Sequence, residues 1–183
     1  MARTPSTMLA LGTPAPKFSL PDTVSGKIVT NLDFASKPLL IMFICNHCPF
    51  VKHVRFELAK LGKKYSAFGV GICAISSNDI ILHPQDSPAM MKLEAEEAGY
   101  SFPYLYDETQ SVAKAFDAAC TPDYFLFDRE HRLVYRGQLD DSRPGNSIPV
   151  SGKDLRTAID NLLAGKPISH DQRPSLGCNI KWK

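Results

Sequence analysis

A chain of 183 residues, 44% hydrophobic and 22% charged, has the makeup of one soluble globular domain. Its 21 basic residues against 19 acidic ones leave a net charge of +2, too near balance for a polyanion partner or a membrane surface. The longest strongly apolar stretch, Leu39 to Cys45, falls far short of the roughly 20 residues of a membrane span. Residues 1–11 lack the long apolar block of a secretory signal, so the expected location is the cytoplasm. Five cysteines are neither an even count nor the density of a disulfide scaffold.

In chain order, residues 11–22 are punctuated by prolines and predicted to be extended. A short strand is expected over Lys27 to Leu32, after the turn Ser25-Gly26. Leu39 to Ile44 is a continuous apolar run with β-branched and aromatic members, the pattern of a central strand buried on both faces. Val51, Val54, Leu58 and Leu61 then fall on one face of a helix. Val70 to Ser76 is a second buried strand, and a helix capped by Ser87 with Pro88 in its first turn should run to about Gly99. Tyr104 to Tyr106 is a short strand, and Thr109 to Ala119 a predicted helix. Tyr124 to Phe127 and Leu133 to Arg136 form a hairpin around Asp128 to His131. Asp154 to Ala164 is an amphipathic helix stopped by Gly165-Lys166-Pro167. The alternation predicts a single α/β domain over 1–183, with its core at about 11–165. Residues 166–183 show no period and are read as a tail.

Cys45-Asn46-His47-Cys48-Pro49 lies where the buried strand gives way to the amphipathic helix. Cysteines three apart in a first helical turn can bring their sulfurs within bonding distance. Unpaired N–H groups and the macrodipole favour a thiolate there, the form that attacks a disulfide or peroxide. His47 would add a cationic or hydrogen-bonding neighbour that lowers the thiol pKa further. Pro49 suits the first turn, whose N–H groups have no helical partner. A c-type haem site needs histidine where Pro49 stands. Structural zinc needs two more ligands, and Cys73, Cys120 and Cys178 are scattered, so no metal is expected. Thr121-Pro122, just before a strand, is either an edge device or a cis peptide bond that presents the preceding backbone to a neighbouring site. Cys178 in the tail either resolves an oxidised cysteine of the pair or is a packed thiol.

These pieces resemble the thioredoxin-fold superfamily and, more closely, its peroxiredoxin-like branch, the alkyl hydroperoxide reductase/thiol-specific antioxidant group. The resemblance runs from about Leu11 to Gly165: Ala15-Pro16-Lys17-Phe18-Ser19-Leu20, the strand before Cys45, the CxxC, Thr121-Pro122 with Tyr124-Phe125-Leu126-Phe127-Asp128, and Val134-Tyr135-Arg136-Gly137. Cys-Asn-His-Cys-Pro-Phe and the ending Gly177-Cys178-Asn179-Ile180-Lys181-Trp182 also resemble a bacterial thioredoxin-like subgroup. The resemblance implies a three-layer fold with a central mixed sheet and helices on both faces. It implies that Pro122 is cis against the redox cysteines and that Thr121 offers backbone hydrogen bonds to a bound chain. Cys120 would lie close to the pair, and the family's activating arginine would fall at Arg136 or Arg143. The chain departs from the peroxiredoxin pattern: aligning the peroxide-attacking cysteine on Cys48 puts Cys45 at the hydroxyl position and Ile41 at the proline position.

The function expected on these grounds is thiol–disulfide exchange. By the resemblance, Cys45 would attack a partner disulfide, Cys48 would resolve the mixed disulfide, and His47 would stabilise the thiolate. The alternatives are a thiol peroxidase, with Cys48 attacking peroxide and Cys45 or Cys178 resolving, and a non-catalytic redox sensor. No cofactor is implied beyond a redox-active Cys45–Cys48 disulfide. The implied partners are protein or small-molecule thiols and disulfides, or peroxide, with no nucleic acid or membrane.

Overall fold

The computed structural model describes residues 3–183. Its elements are β1 (Arg3–Pro5), β2 (Ser19–Pro21), β3 (Ile28–Thr30), β4 (Leu39–Phe43), α1 (Pro49–Ala67), β5 (Gly71–Ser76), α2 (Pro88–Ala98), β6 (Tyr104–Tyr106), α3 (Ser111–Ala115), β7 (Cys120–Thr121), β8 (Asp123–Phe127), β9 (Leu133–Gly137), α4 (Lys153–Leu163) and β10 (Leu176–Asn179). A five-stranded sheet in the order β6-β5-β4-β8-β9 forms the middle layer. β4 pairs parallel with β5, and β5 with β6, whereas β4–β8 and β8–β9 are antiparallel.

The apolar run of β4 is central for a simple reason: its side chains alternate between two cores. Leu40 and Met42 join Val51, Val54, Leu58 and Leu61 of α1, Met91 of α2 and Leu155 and Ile159 of α4 on one face. Leu39, Ile41 and Phe43 join Phe18, Phe34, Val112 and Phe116 on the other. Each such fully buried side chain contributes about 1.5–3 kcal/mol, and together they hold the end of β4, where the cysteines begin, in a fixed place. Gly99 ends α2 in a left-handed conformation, φ 74°, which costs glycine nothing. Ser87 stands at the N-cap position, although its hydroxyl makes no capping bond.

Two expectations need correction. The helix predicted over Thr109 to Ala119 is only Ser111–Ala115. Gln110 precedes it at φ 62°, its amide drawn to the carbonyls of Ser77 and Lys181, and Asp117 breaks it at φ 52°. The tail is also no tail. Its strand β10 lies between β1 and β7 in a second, antiparallel sheet, with Cys178 opposite both Arg3 and Thr121. Ser175 gives its hydroxyl to the Pro122 carbonyl at 2.6 Å, and the Lys181 N–H goes to Asn78 Oδ1 at 2.8 Å. Four residues of Leu, Gly, Cys and Asn carry no apolar alternation, so no periodicity marks this strand.

Gly177 is what lets β10 seat. A Cβ there would lie 2.0 Å from the Thr121 carbonyl oxygen, a backbone atom that cannot swing aside. Gly177→Ala should therefore destabilise the protein by about 1–3 kcal/mol and speed amide exchange at Thr121 and Cys178. Unchanged melting and protection would mean that the close approach does not exist.

Candidate active site

The end of β4 carries the chain through Ile44 into Cys45 and Asn46, and α1 begins at Pro49 with Cys48 as its N-cap. The cysteines are thus not both in the first helical turn. Cys45 lies before the helix, and only Cys48 stands where the N–H groups converge. Pro49 occupies the first turn as expected.

Thr121 and Pro122 come to the same place from β7, and the peptide bond between them is cis. Thr121 touches both cysteines: its hydroxyl is 3.3 Å from Cys45 Sγ, and its carbonyl accepts from the Cys48 thiol at 3.1 Å. The backbone of Thr121, expected to be open to a bound chain, is paired with the protein's own β10. That pairing sets Cys178 Sγ 2.7 Å from Cys48 Sγ. Cys45, Cys48 and Cys178 are each no more than 1% exposed.

The environment divides the two CxxC thiols. Cys48 is held down to about 5, first by the Cys45 thiol that donates to it, then by the Cys178 thiol and the N–H groups of Val51 and Cys178, against the opposing push of burial. The Thr121 carbonyl favours the thiol form of Cys48, but these four donors outweigh one acceptor. Cys45 is held well above the ordinary thiol range: it donates to Cys48, it is buried, and it faces the Asp86 carboxylate. The thiolate is favoured at Cys48 and disfavoured at Cys45, the cysteine for which the attacking role was expected.

His47 has a partner that the sequence did not show. Its ring is turned to Asp86, Nδ1 to Oδ2 at 2.5 Å, and stacks on His83 with centroids 5.0 Å apart. The largest influences that lower Cys48 come from thiols and backbone N–H groups. Asp86 is the site residue the sequence reading missed. Fully buried, it accepts from the N–H groups of Asn46 and His47 and from Asn78 Nδ2 as well as the His47 ring. Burial pushes its carboxyl up, but these donors outweigh it and hold it below the usual range. Its sequence neighbours, Pro84-Gln85-Asp86-Ser87, look like any acidic start of a helix, so nothing flagged it.

Cys45 Sγ, a ring nitrogen of His47 and a carboxylate oxygen of Asp86 lie within 4.8 Å of one another, a donor set that could hold a metal ion. Both Asp86 oxygens already accept N–H donors, so an ion would have to replace the His47–Asp86 bond.

The remaining candidates fall apart. Cys120 is buried, its thiol pushed far up by burial and donating to the Pro122 carbonyl at 3.7 Å. Arg143 gives its guanidinium to the carbonyls of Asp140 and Ser142 and to Gln138 Oε1, and Arg136 to the Leu9 carbonyl and Gln172. Arg143 also lines the small cavity beside Pro122, and Arg136 does not. Beside Pro122, a cavity of about 10 Å³ lined by Phe50, His53, Ser175 and Leu176 has room for little more than a water molecule. A larger groove of about 450 Å³, at Lys17 to Ser19 and Thr30 to Leu32, contains none of the residues singled out above. No helix among the described residues is long and apolar enough to cross a membrane.

A mixed sheet between helical layers, with a CxxC at a strand–helix junction against a cis Thr-Pro bond, defines a thioredoxin-like redox protein. The chain belongs to the Redoxin family, whose model matches residues 10–155. It is 56% identical to an uncharacterized conserved protein from Geobacillus kaustophilus, with a TM-score of 0.98 over 100% of this chain and 97% of that one. It is 50% identical to a hypothetical protein from Sinorhizobium meliloti 1021, TM-score 0.96, over 98% of each. The thioredoxin domain of a thiol-disulfide oxidoreductase from Bacteroides vulgatus shares the fold at 21% identity and TM-score 0.66, over 85% of this chain and 99% of that one. No protein of curated function matches in a sequence comparison.

Proposed function

We propose that this redox protein is a thiol–disulfide oxidoreductase in which Cys48 attacks and Cys45 resolves. The observation that carries the reading is the division between the two thiols: one stabilised as thiolate by four donors, the other kept protonated beside it. The Cys48 thiolate attacks one sulfur of a partner disulfide, and the other sulfur leaves as a thiolate. As the charge on Cys48 is consumed, the Cys45 thiol loses two of the influences that keep it protonated, its donation to Cys48 and the Cys48 charge. Cys45 then gives up its proton and attacks Cys48 Sγ. The product is a Cys45–Cys48 disulfide, and the partner leaves with two electrons more, its sulfurs taking the one proton that Cys45 gave up and a second from water. A dithiol reductant restores the pair. A thiolate stabilised only in the reduced form makes the pair more oxidising than one with ordinary thiols.

The same thiolate favours one second reading, a thiol peroxidase in which Cys48 becomes a sulfenic acid. Parallel assays separate them: reduction of oxidised glutathione or insulin, and consumption of hydrogen peroxide, for wild type and Cys48→Ser. Disulfide reduction that dominates and is lost in Cys48→Ser supports exchange. Peroxide consumption that outruns disulfide reduction by about 100-fold, in the manner of a low-pKa thiolate with a dedicated pocket, would overturn it.

A further inference from the structure

We propose that Cys178 is a third exchanging thiol, which takes the Cys48 sulfur over from Cys45 so that oxidation ends as a Cys48–Cys178 disulfide. The inference rests on the exchange reading above and deepens it. Its ground is placement. Cys178 Sγ stands 2.7 Å from Cys48 Sγ, within about 1 Å of a disulfide bond length. The position is imposed by backbone rather than by a chosen rotamer alone: Cys178 is paired with Thr121 across β10 and β7, and Gly177 lets the strands close to this distance. The two other cysteines outside the pair are placed differently. Cys73 lies in β5 within the opposite core, and Cys120 donates its thiol to the Pro122 carbonyl.

The chemistry needs no further oxidant. A Cys178 thiolate attacks Cys48 Sγ within the Cys45–Cys48 disulfide. The Cys48–Cys178 bond forms, the Cys45–Cys48 bond breaks with its electron pair on Cys45, and Cys45 takes up the proton that Cys178 released. The oxidation level of the protein is unchanged. While Cys48 is a thiolate, Cys178 is pushed up to about 12, by burial and then by its donation to Cys48 and the charge on that sulfur. The last two causes vanish once Cys48 is in a disulfide, leaving burial, the largest, opposed by the nearby Lys181 ammonium and the Phe50 N–H. Cys178 thus becomes available only after the first oxidation. The product ties β10 covalently to the start of α1.

The test maps linkages in the full chain after exposure to oxidised glutathione, by acid quench, alkylation and mass spectrometry of the digest. In wild type the Cys48–Cys178 linkage should be the main product. In Cys45→Ser, Cys178 should resolve the glutathione adduct on Cys48, releasing about two glutathione thiols per chain. With Cys178→Ala or Cys178→Ser added, the adduct should persist and only about one thiol should be released. Wild type that yields only Cys45–Cys48, together with an equally persistent adduct in Cys45→Ser, overturns the proposal and leaves the exchange reading standing. Wild type that forms neither linkage nor adduct overturns both. The wild-type map requires no substitution, so a variant that fails to fold does not remove the test.

Discussion

Alkylation of Cys48 by iodoacetamide should be half-maximal near pH 5 and level from about pH 6.5 upward, because its thiol is held down to about 5. Two effects compete in the size of that rate. At pH 7 an ordinary thiol is about 1% thiolate and Cys48 nearly all thiolate, a gain of about 100-fold. The weaker basicity costs roughly 40–100-fold in intrinsic nucleophilicity over the same four units. The two nearly cancel at neutral pH, so a rate measured only there would show nothing. At pH 5 the thiolate gain is about 5,000-fold and a net advantage of roughly 50–125-fold survives. Burial slows every reagent but does not move the midpoint. Cys48→Ser should remove the acid-side phase entirely. A rate that instead climbs through pH 8–9 would place the thiolate elsewhere. The same shift bears on stability. An acidic group whose folded pKa is depressed stabilises the fold fully above its unfolded value, about 9 for cysteine. For Cys48 that contribution is lost as pH falls toward 5, so the dithiol form should melt lower at pH 5 than at pH 8.

The second large effect belongs to Asp86. Its carboxylate is fully buried and accepts from two backbone N–H groups, Asn78 and the His47 ring. Asp86→Ala removes the acceptor and leaves those donors unpaired in the interior, which should cost about 3–5 kcal/mol. For a chain of this length that is a fall in melting temperature of roughly 6–20 °C. Asp86→Asn keeps the shape and one oxygen and should cost less. The sign with pH follows from a carboxyl held below its ordinary value: its stabilisation is present above about pH 4 and lost as pH falls through the folded value. Wild type and Asp86→Asn should therefore draw together in urea melts as pH falls below the ordinary carboxyl value, about 4. A constant gap down to pH 2 would mean that the charge contributes nothing. The substitution also removes the carboxylate that faces Cys45, so the Cys45 thiol should fall toward its ordinary value.

The two halves of the site were unequally legible in the sequence. Leu39 to Ile44 is apolar at every position, short and partly β-branched and aromatic, which favours a strand buried on both faces over a buried helix, so β4 and the start of α1 could be read. Cys45, Cys48, Thr121 and Pro122 could be named because a CxxC and a Thr-Pro before a strand have a local signature. Cys178 and Asp86 have none. Each reaches the site through long-range packing, over 130 residues from Cys48 and 39 from His47. β10 was illegible because its seat depends on a missing side chain at Gly177 and on hydrogen bonds to Ser6, Asn78 and Gln110, none of which leaves a periodic trace. His47 was legible in part: its position between the cysteines was visible, but the carboxylate that its ring nitrogen meets was not.

The sheet of β1, β10 and β7 joins positions 3–5, 176–179 and 120–121 of the chain. Such widely separated pairings form slowly, since closing long loops costs entropy before any contact repays it. During synthesis Cys45 and Cys48 emerge well before Cys178, and the N–H and S–H groups that Cys178 aims at Cys48 arrive only with the closing strand. Full acidity at Cys48 is thus a property of the finished chain. A nascent or partly unfolded copy carries a less acidic thiol, and only the fully folded protein keeps Cys48 as a thiolate in mildly acid solution.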